Sequence, residues 1–208
     1  MSEELEILKT VGQRLASAGI AYMVTGSIAV NYYTVPRMTR DIDVVVALSL
    51  EDTDRLCALF QDDFYIDREA ARQAIAGKGT FNIIHKGCVV KVDFIVRKDS
   101  EYRLAEFPRR RRVSVEGFDL FITAPEDLII SKLDWARDSR SEIQLTDVRN
   151  LLARVKALTP EEFAGWRSQF VTSKADRMGI RHPLMAFTEQ GIAMLSSVLH
   201  HSALPKGR

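Results

Sequence analysis

Two aspartates one residue apart inside an apolar run, Arg40-Asp41-Ile42-Asp43-Val44-Val45-Val46, constrain this chain more than any other stretch. Successive side chains on a strand point to opposite faces, so Asp41 and Asp43 share one face while Ile42 and Val44 take the other. Two carboxylates about 7 Å apart on a rigid strand are costly to keep charged without a cation near them. Upstream, separated by thirteen residues, stands Gly26-Ser27, directly after the apolar run Ile20-Ala21-Tyr22-Met23-Val24. A third carboxylate, Asp93 in Val92-Asp93-Phe94-Ile95-Val96, follows Asp43 by fifty residues. Gly lets the backbone approach a phosphate closely, and Ser27 falls at a helix N-terminus that favours anions. Mg²⁺ prefers one or two carboxylates plus substrate phosphates, and a third Asp from a neighbouring strand would complete a two-metal site for in-line displacement at phosphorus. Each part also has a plainer meaning. Gly26-Ser27 is then a strand-to-helix turn with Ser27 as an N-cap, Asp41 and Asp43 are acids capping a strand edge, and Asp93 is ion-paired on its own strand face with Lys91.

Together and in this order, Gly26, Ser27, Asp41, Asp43 and Asp93 resemble the pattern of the nucleotidyltransferase superfamily, which includes DNA polymerase beta. A nearer resemblance is to the AbiEii-type proteins of toxin–antitoxin systems. It is carried by Arg37-Met38-Thr39-Arg40-Asp41-Ile42-Asp43, by Ala124-Pro125-Glu126-Asp127 running on to Lys132-Leu133, and by Asp147-Val148-Arg149-Asn150-Leu151-Leu152. The likeness covers roughly residues 1–155. It implies an α/β nucleotidyltransferase fold, a small mixed sheet flanked by helices and followed by C-terminal helices. It also implies Mg²⁺ (with Mn²⁺ as the alternative ion) held by Asp41, Asp43 and Asp93, and an NTP as substrate. Gly26, Ser27 and Lys132 would then contact the triphosphate, and the resemblance suggests transfer to tRNA ends, with a protein or small-molecule hydroxyl as other acceptors.

Composition sets looser limits. A hydrophobic content of 46% with 27% charged residues is ordinary for a soluble globular chain, and a net charge of +1 gives no global attraction to nucleic acid. Cys57 and Cys88 lack metal or redox spacing and read as reduced core thiols. No apolar stretch reaches the roughly 18 residues needed to span a bilayer, and the acidic start Met1-Ser2-Glu3-Glu4 has no signal-peptide character. A cytoplasmic protein without membrane association is expected.

Periodicity predicts a helix over 2–18, a strand over 20–24 and a helix from Gly26 through Tyr33. Pro36 stops that helix. Arg37 and Arg40 in the following linker have the fork geometry to hold phosphate, or are solvated loop charges. Helices are predicted over 51–60 and 68–76, and a hairpin joins 81–84 to 89–96 across Lys86-Gly87. Arg109 to Arg112 is either a solvated cationic run or a contact for a nucleic-acid backbone. Two short strands meet at Gly117, and helices follow from Thr123-Ala124-Pro125 and over 142–155. Leu128, Ile129 and Leu133 are expected inward. Lys132, on an adjoining face, reads as a triphosphate contact or a surface lysine, and Asp147 as the partner of an arginine.

From Leu158 the texture changes, and residues 156–208 read as a fused helical tail. The phrases Ser168-Gln169-Phe170-Val171-Thr172-Ser173 and Ala186-Phe187-Thr188-Glu189-Gln190-Gly191 through Leu199 resemble part of the N-terminal domain of phage antirepressor-like regulators related to KilA-N. Only part of that domain is present, so the tail is expected to dock on the catalytic domain or to mediate homodimerisation. His182, His200 and His201 read as surface residues. The expected activity is Mg²⁺-dependent transfer of a nucleoside monophosphate from an NTP to a hydroxyl, with a cognate toxin or antitoxin as partner. The rivals are a catalytically silent interaction module of antitoxin type and a DNA-binding regulator acting through the tail.

Overall fold

The computed structural model describes residues 2–39, 41–139 and 141–154. Arg40 and the whole tail with its three histidines lie outside the described residues. Residues 1–154 group into one compact unit. Among the described residues, no helix is long and apolar enough to cross a membrane.

The chain opens with α1 (Glu3–Ser17), where the Ser2 side chain accepts a hydrogen bond from the Leu5 amide and Glu3, Glu4 and Glu6 occupy the positive end of the helix. Its apolar stripe, Ile7, Leu8, Val11 and Leu15, is buried, as the near-helical spacing requires. There follow β1 (Tyr22–Val24), α2 (Gly26–Tyr33) and β2 (Asp41–Val46). Next come α3 (Thr53–Phe60), β3 (Phe64–Ile66), α4 (Arg68–Gly77), β4 (Thr80–His85) and β5 (Lys91–Val96). The unit closes with α5 (Glu101–Glu106), β6 (Arg111–Val115), β7 (Phe118–Ile122), α6 (Pro125–Ser139) and α7 (Glu142–Leu152). Strand β3 and helix α5 are additions to the elements predicted from the sequence. Both are short, and β3 pairs with β4 along one sheet edge, a tertiary constraint that local periodicity does not carry.

The seven strands form one mixed sheet in the order β3-β4-β5-β2-β1-β7-β6. β2 lies at its centre, parallel to β5 and antiparallel to β1. Alternation puts Ile42, Val44 and Val46 of β2 and Val92, Phe94 and Val96 of β5 into the core, where all six are fully buried. On that face Phe60, Phe64, Phe81 and Phe94 form edge and tilted ring contacts with centroids 5.3–5.7 Å apart. The opposite face of the same two strands carries the acids, and the β2–β5 register sets Asp43 directly beside Asp93 and Asp41 beside Lys91. Burial of one face thereby fixes the other, because a one-residue slip would send every acid into the core. Helices α2, α6 and α7 pack against one another. Leu128 and Ile129 of α6 are buried, while Leu133 is only half-buried. Cys57 is a buried free thiol as expected; Cys88 is also free but half-buried in the β4–β5 turn, its Sγ 3.1 Å from His85 Nδ1.

Candidate functional site

The site begins where β1 gives way to α2. The Thr25 amide donates to the Asp43 carbonyl at 2.9 Å, extending the β1–β2 pairing up to the first turn of the helix. Gly26 then adopts φ +64°, and a Cβ placed on it would stand 1.9 Å from Asp43 Oδ2. The carboxylate of Asp43 thus lies directly against the backbone of Gly26, an approach that only glycine permits. Ser27 follows within the first turn of α2. The N-cap position belongs to Thr25, whose side chain makes no capping bond, so Ser27 is not the simple N-cap. Thr25, Gly26, Ser27, Asp43 and Lys132 line one wall of a cleft of about 590 Å³, a size suited to a small-molecule ligand. The Gly77–Thr80 turn, Arg97, Lys98, Arg103, Glu106 and Trp135 also line the cleft. Arg97 Nε and Gln144 Oε1, both on residues lining this cleft, are buried and make no hydrogen bond among the described residues.

The carboxylates sit in contrasting surroundings. Asp43 is half-buried; burial first, and then the neighbouring Asp93, push its pKa above the ordinary value, with Lys132 opposing. Asp41, at the start of β2, is exposed, and Asp93 is largely covered. Between these two stands an ammonium. Lys91 Nζ is 2.9 Å from Asp93 Oδ2 and 3.6 Å from Asp41 Oδ1, and its pKa is raised, chiefly by the hydrogen bond with Asp93. The ion pair that the sequence offered as the plain reading of Asp93 is therefore present, and it extends to Asp41. Among the described residues, no three acidic, histidine or cysteine side chains converge into a ready-made metal cage. The donor set nevertheless fits a hard divalent cation. It consists of carboxylate oxygens from two adjacent strands, with a lysine that is 39% exposed beside two of them.

Behind α2 lies a second charge network whose centre is Asp147. Its carboxylate, 1% exposed, accepts from Lys132 Nζ at 2.9 Å and from Arg37 Nε and Nη2 at 3.1 and 3.0 Å. Arg37 Nη2 also donates to Ser27 Oγ at 2.7 Å. Burial alone would raise the Asp147 pKa, but the hydrogen bonds from Arg37 and Lys132 outweigh it and leave the acid below its ordinary value. Lys132 is therefore no surface lysine, and Arg37, though exposed, is tied to the same buried carboxylate. Asp147 shares the buried face of α7 with Val148 and Leu151, so its helical spacing to Leu151 was the available signal. Periodicity could not name its partners, which lie far away in sequence.

The arginine run is also accounted for within the fold. Arg109 pairs with buried Asp127, Arg111 with Glu126 at 3.1 Å, and Arg112 Nε with Asp119 at 3.1 Å. Arg110 lies over the rings of Phe107 and Phe121. Three of the four join the turn and edge strand β6 to β7 and α6, which weighs against reading the run as a nucleic-acid contact.

In its architecture the chain is similar to an antigenic nucleotidyltransferase-like protein from Paracoccidioides brasiliensis, with 17% identity over 90% of this chain and 94% of that one, at a TM-score of 0.56. It is similar to the lincosamide antibiotic adenylyltransferase LnuA, solved with lincomycin bound, with 11% identity over 74% of this chain and 98% of that one (TM-score 0.50). It is also similar to ANT(2″)-Ia in complex with adenylyl-2″-tobramycin, with 15% identity over 82% of this chain and 99% of that one (TM-score 0.50). The chain has the nucleotidyltransferase fold. Residues 154–198 match the ORF6N domain, in keeping with the tail's resemblance to KilA-N-related regulators. No curated protein sequence matches the chain.

Proposed function

We propose that residues 1–155 transfer a nucleoside monophosphate from an NTP to a hydroxyl acceptor, with release of pyrophosphate, and that residues 156–208 are an appended partial regulator domain. The observation that carries the reading is the seating of the Asp43 carboxylate against Gly26 at the start of α2, with Asp93 beside it in strand register. A phosphate accepted by the Gly26-Ser27 turn would then lie next to the carboxylates. Asp41, Asp43 and Asp93 are the residues that would hold Mg²⁺ or Mn²⁺, which when bound neutralises charge on the phosphates and activates an attacking oxygen.

The chain's own groups divide the remaining work. The Gly26 and Ser27 amides and the Ser27 hydroxyl bind and orient the β- and γ-phosphates. Lys132, fixed by Asp147, presents a positive charge on the cleft wall toward the leaving pyrophosphate. Arg37 positions Ser27, and Arg40 is assigned to the phosphates because a guanidinium fork matches phosphate oxygens. Asp93 is the group placed to take the proton of the attacking hydroxyl.

LnuA and ANT(2″)-Ia support small-molecule acceptors for this fold, whereas the AbiEii-type resemblance favours a tRNA end and a place in a toxin–antitoxin pair. The test is incubation with Mg²⁺ and each of the four α-labelled NTPs against total tRNA, protein extract and aminoglycoside or lincosamide acceptors. Label transferred by wild type and absent in Asp41→Ala/Asp43→Ala is expected. Label transferred equally by that variant would take the chemistry away from these carboxylates, and no transfer by either protein would return the domain to the class of interaction modules.

A further inference from the structure

We propose that Lys91 is a tethered counter-cation that holds the carboxylates in their metal-free arrangement and is displaced when a divalent ion loads. The proposal rests on the metal-dependent reading above and concerns how that site is filled.

The geometry is specific. Lys91 opens β5, opposite Asp41 in the parallel register and two residues before Asp93, so all three side chains stand on one sheet face. Its ammonium bridges the two acids at 2.9 and 3.6 Å. Without that charge the carboxylates of Asp41, Asp43 and Asp93, on two adjacent strands, would keep Lys132 acting on Asp43 but no cation bridging Asp41 and Asp93. With it, a divalent ion cannot take the same oxygens while the ammonium stays, since like charges a few ångströms apart in a partly buried site repel strongly. Lys91 can move, because its stem is flexible and its side chain is 39% exposed. An ion arriving with a triphosphate also brings the anionic oxygens that give the released ammonium a new partner. Lys91 therefore weakens binding of the bare ion and favours joint loading of ion and nucleotide.

The experiment uses the full chain without nucleotide and Mn²⁺ as probe, counting free ion by electron paramagnetic resonance for wild type, Lys91→Met and Lys91→Arg. Lys91→Met is expected to bind Mn²⁺ roughly tenfold more tightly than wild type. Lys91→Arg, which keeps the charge, is expected to remain close to wild type. In chelator Lys91→Met should melt below wild type, and added Mn²⁺ should raise its melting temperature by more than it raises that of wild type. The melting shift reports ion binding even where the variant is only marginally folded without metal. Equal or weaker Mn²⁺ binding by Lys91→Met, with binding abolished by Asp43→Asn in both backgrounds, overturns the role of Lys91 while leaving the metal site standing. No Mn²⁺ binding by either wild type or Lys91→Met overturns the metal-dependent reading as well.

Discussion

Replacing Asp147 by asparagine keeps the side chain's shape and removes its charge. Asp147 is 1% exposed and its partner Lys132 is 7% exposed, so the substitution leaves a buried ammonium facing a neutral amide. Removing one member of a buried pair costs about 3–5 kcal/mol, because the remaining charge stays out of water uncompensated. Arg37, 38% exposed, can turn to solvent and adds only about 0–1 kcal/mol to the loss. For a domain of this size each kcal/mol moves the melting temperature by about 2–4 °C, giving a fall of about 6–24 °C for Asp147→Asn. The double variant Lys132→Met/Asp147→Leu removes both charges and should recover most of that loss, since apolar replacement of a buried pair is often close to neutral. The pH dependence has a definite sign. The native pKa of Asp147 lies below its ordinary value, so its stabilisation is present above the unfolded value of about 3.9 and disappears as pH falls through the native one. The gap between wild type and Asp147→Asn should thus be constant near neutrality and close in acid. Urea and thermal unfolding of the full chain across pH check this. A neutral-pH loss below about 1 kcal/mol, or a double variant no better than the single, would refute the argument that a buried pair ties α6 to α7.

Other substitutions separate structural from chemical roles. Gly26→Ala combines a positive φ with a Cβ 1.9 Å from Asp43 Oδ2, so loss of NTP binding with destabilisation of about 1–3 kcal/mol is expected by calorimetry and thermal melting. Asp43→Asn relieves a carboxylate whose pKa is held up by burial and by Asp93. In chelator at neutral pH the variant should melt at or above wild type while transferring no label. Arg109→Ala strips the ion-pair partner from buried Asp127, leaving its carboxylate the Tyr102 hydroxyl, and should cost more in urea denaturation than Arg112→Ala, whose exposed pair is worth about 0–1 kcal/mol. Phe94→Ala, at the centre of the ring cluster, should cost about 3–5 kcal/mol by the same assay.

The alternation in β2 and β5 made the central strands and their acid-bearing face readable from sequence, because a buried face fixes the direction of every second side chain. The strand-to-helix turn at Gly26 was readable because the apolar run ends at a glycine, which admits the positive φ that the turn adopts. Strand β3 and helix α5 were not, since Phe64–Ile66 is held by its pairing to β4 rather than by any pattern of its own. The charges of the site were visible as residue types, but their partners were not. Arg37 and Lys132 read as phosphate contacts, yet their common partner Asp147 lies more than a hundred residues beyond Arg37, reached only when α7 folds back on α2. Arg109 to Arg112 looked like one feature because the four are contiguous. Arg109 ends a turn while Arg111 and Arg112 point to opposite sides of β6, and the fold distributed the run to separate partners.

The central claim is that the unit moves a nucleoside monophosphate rather than a phosphate. Parallel reactions with α-labelled and γ-labelled NTP, with Mg²⁺ and the responsive acceptor, test it most directly. The account predicts that the α label enters the acceptor while the γ label leaves as pyrophosphate, and that both events stop in Asp43→Asn. Entry of the γ label into the acceptor, or turnover that persists in Asp43→Asn, would contradict it.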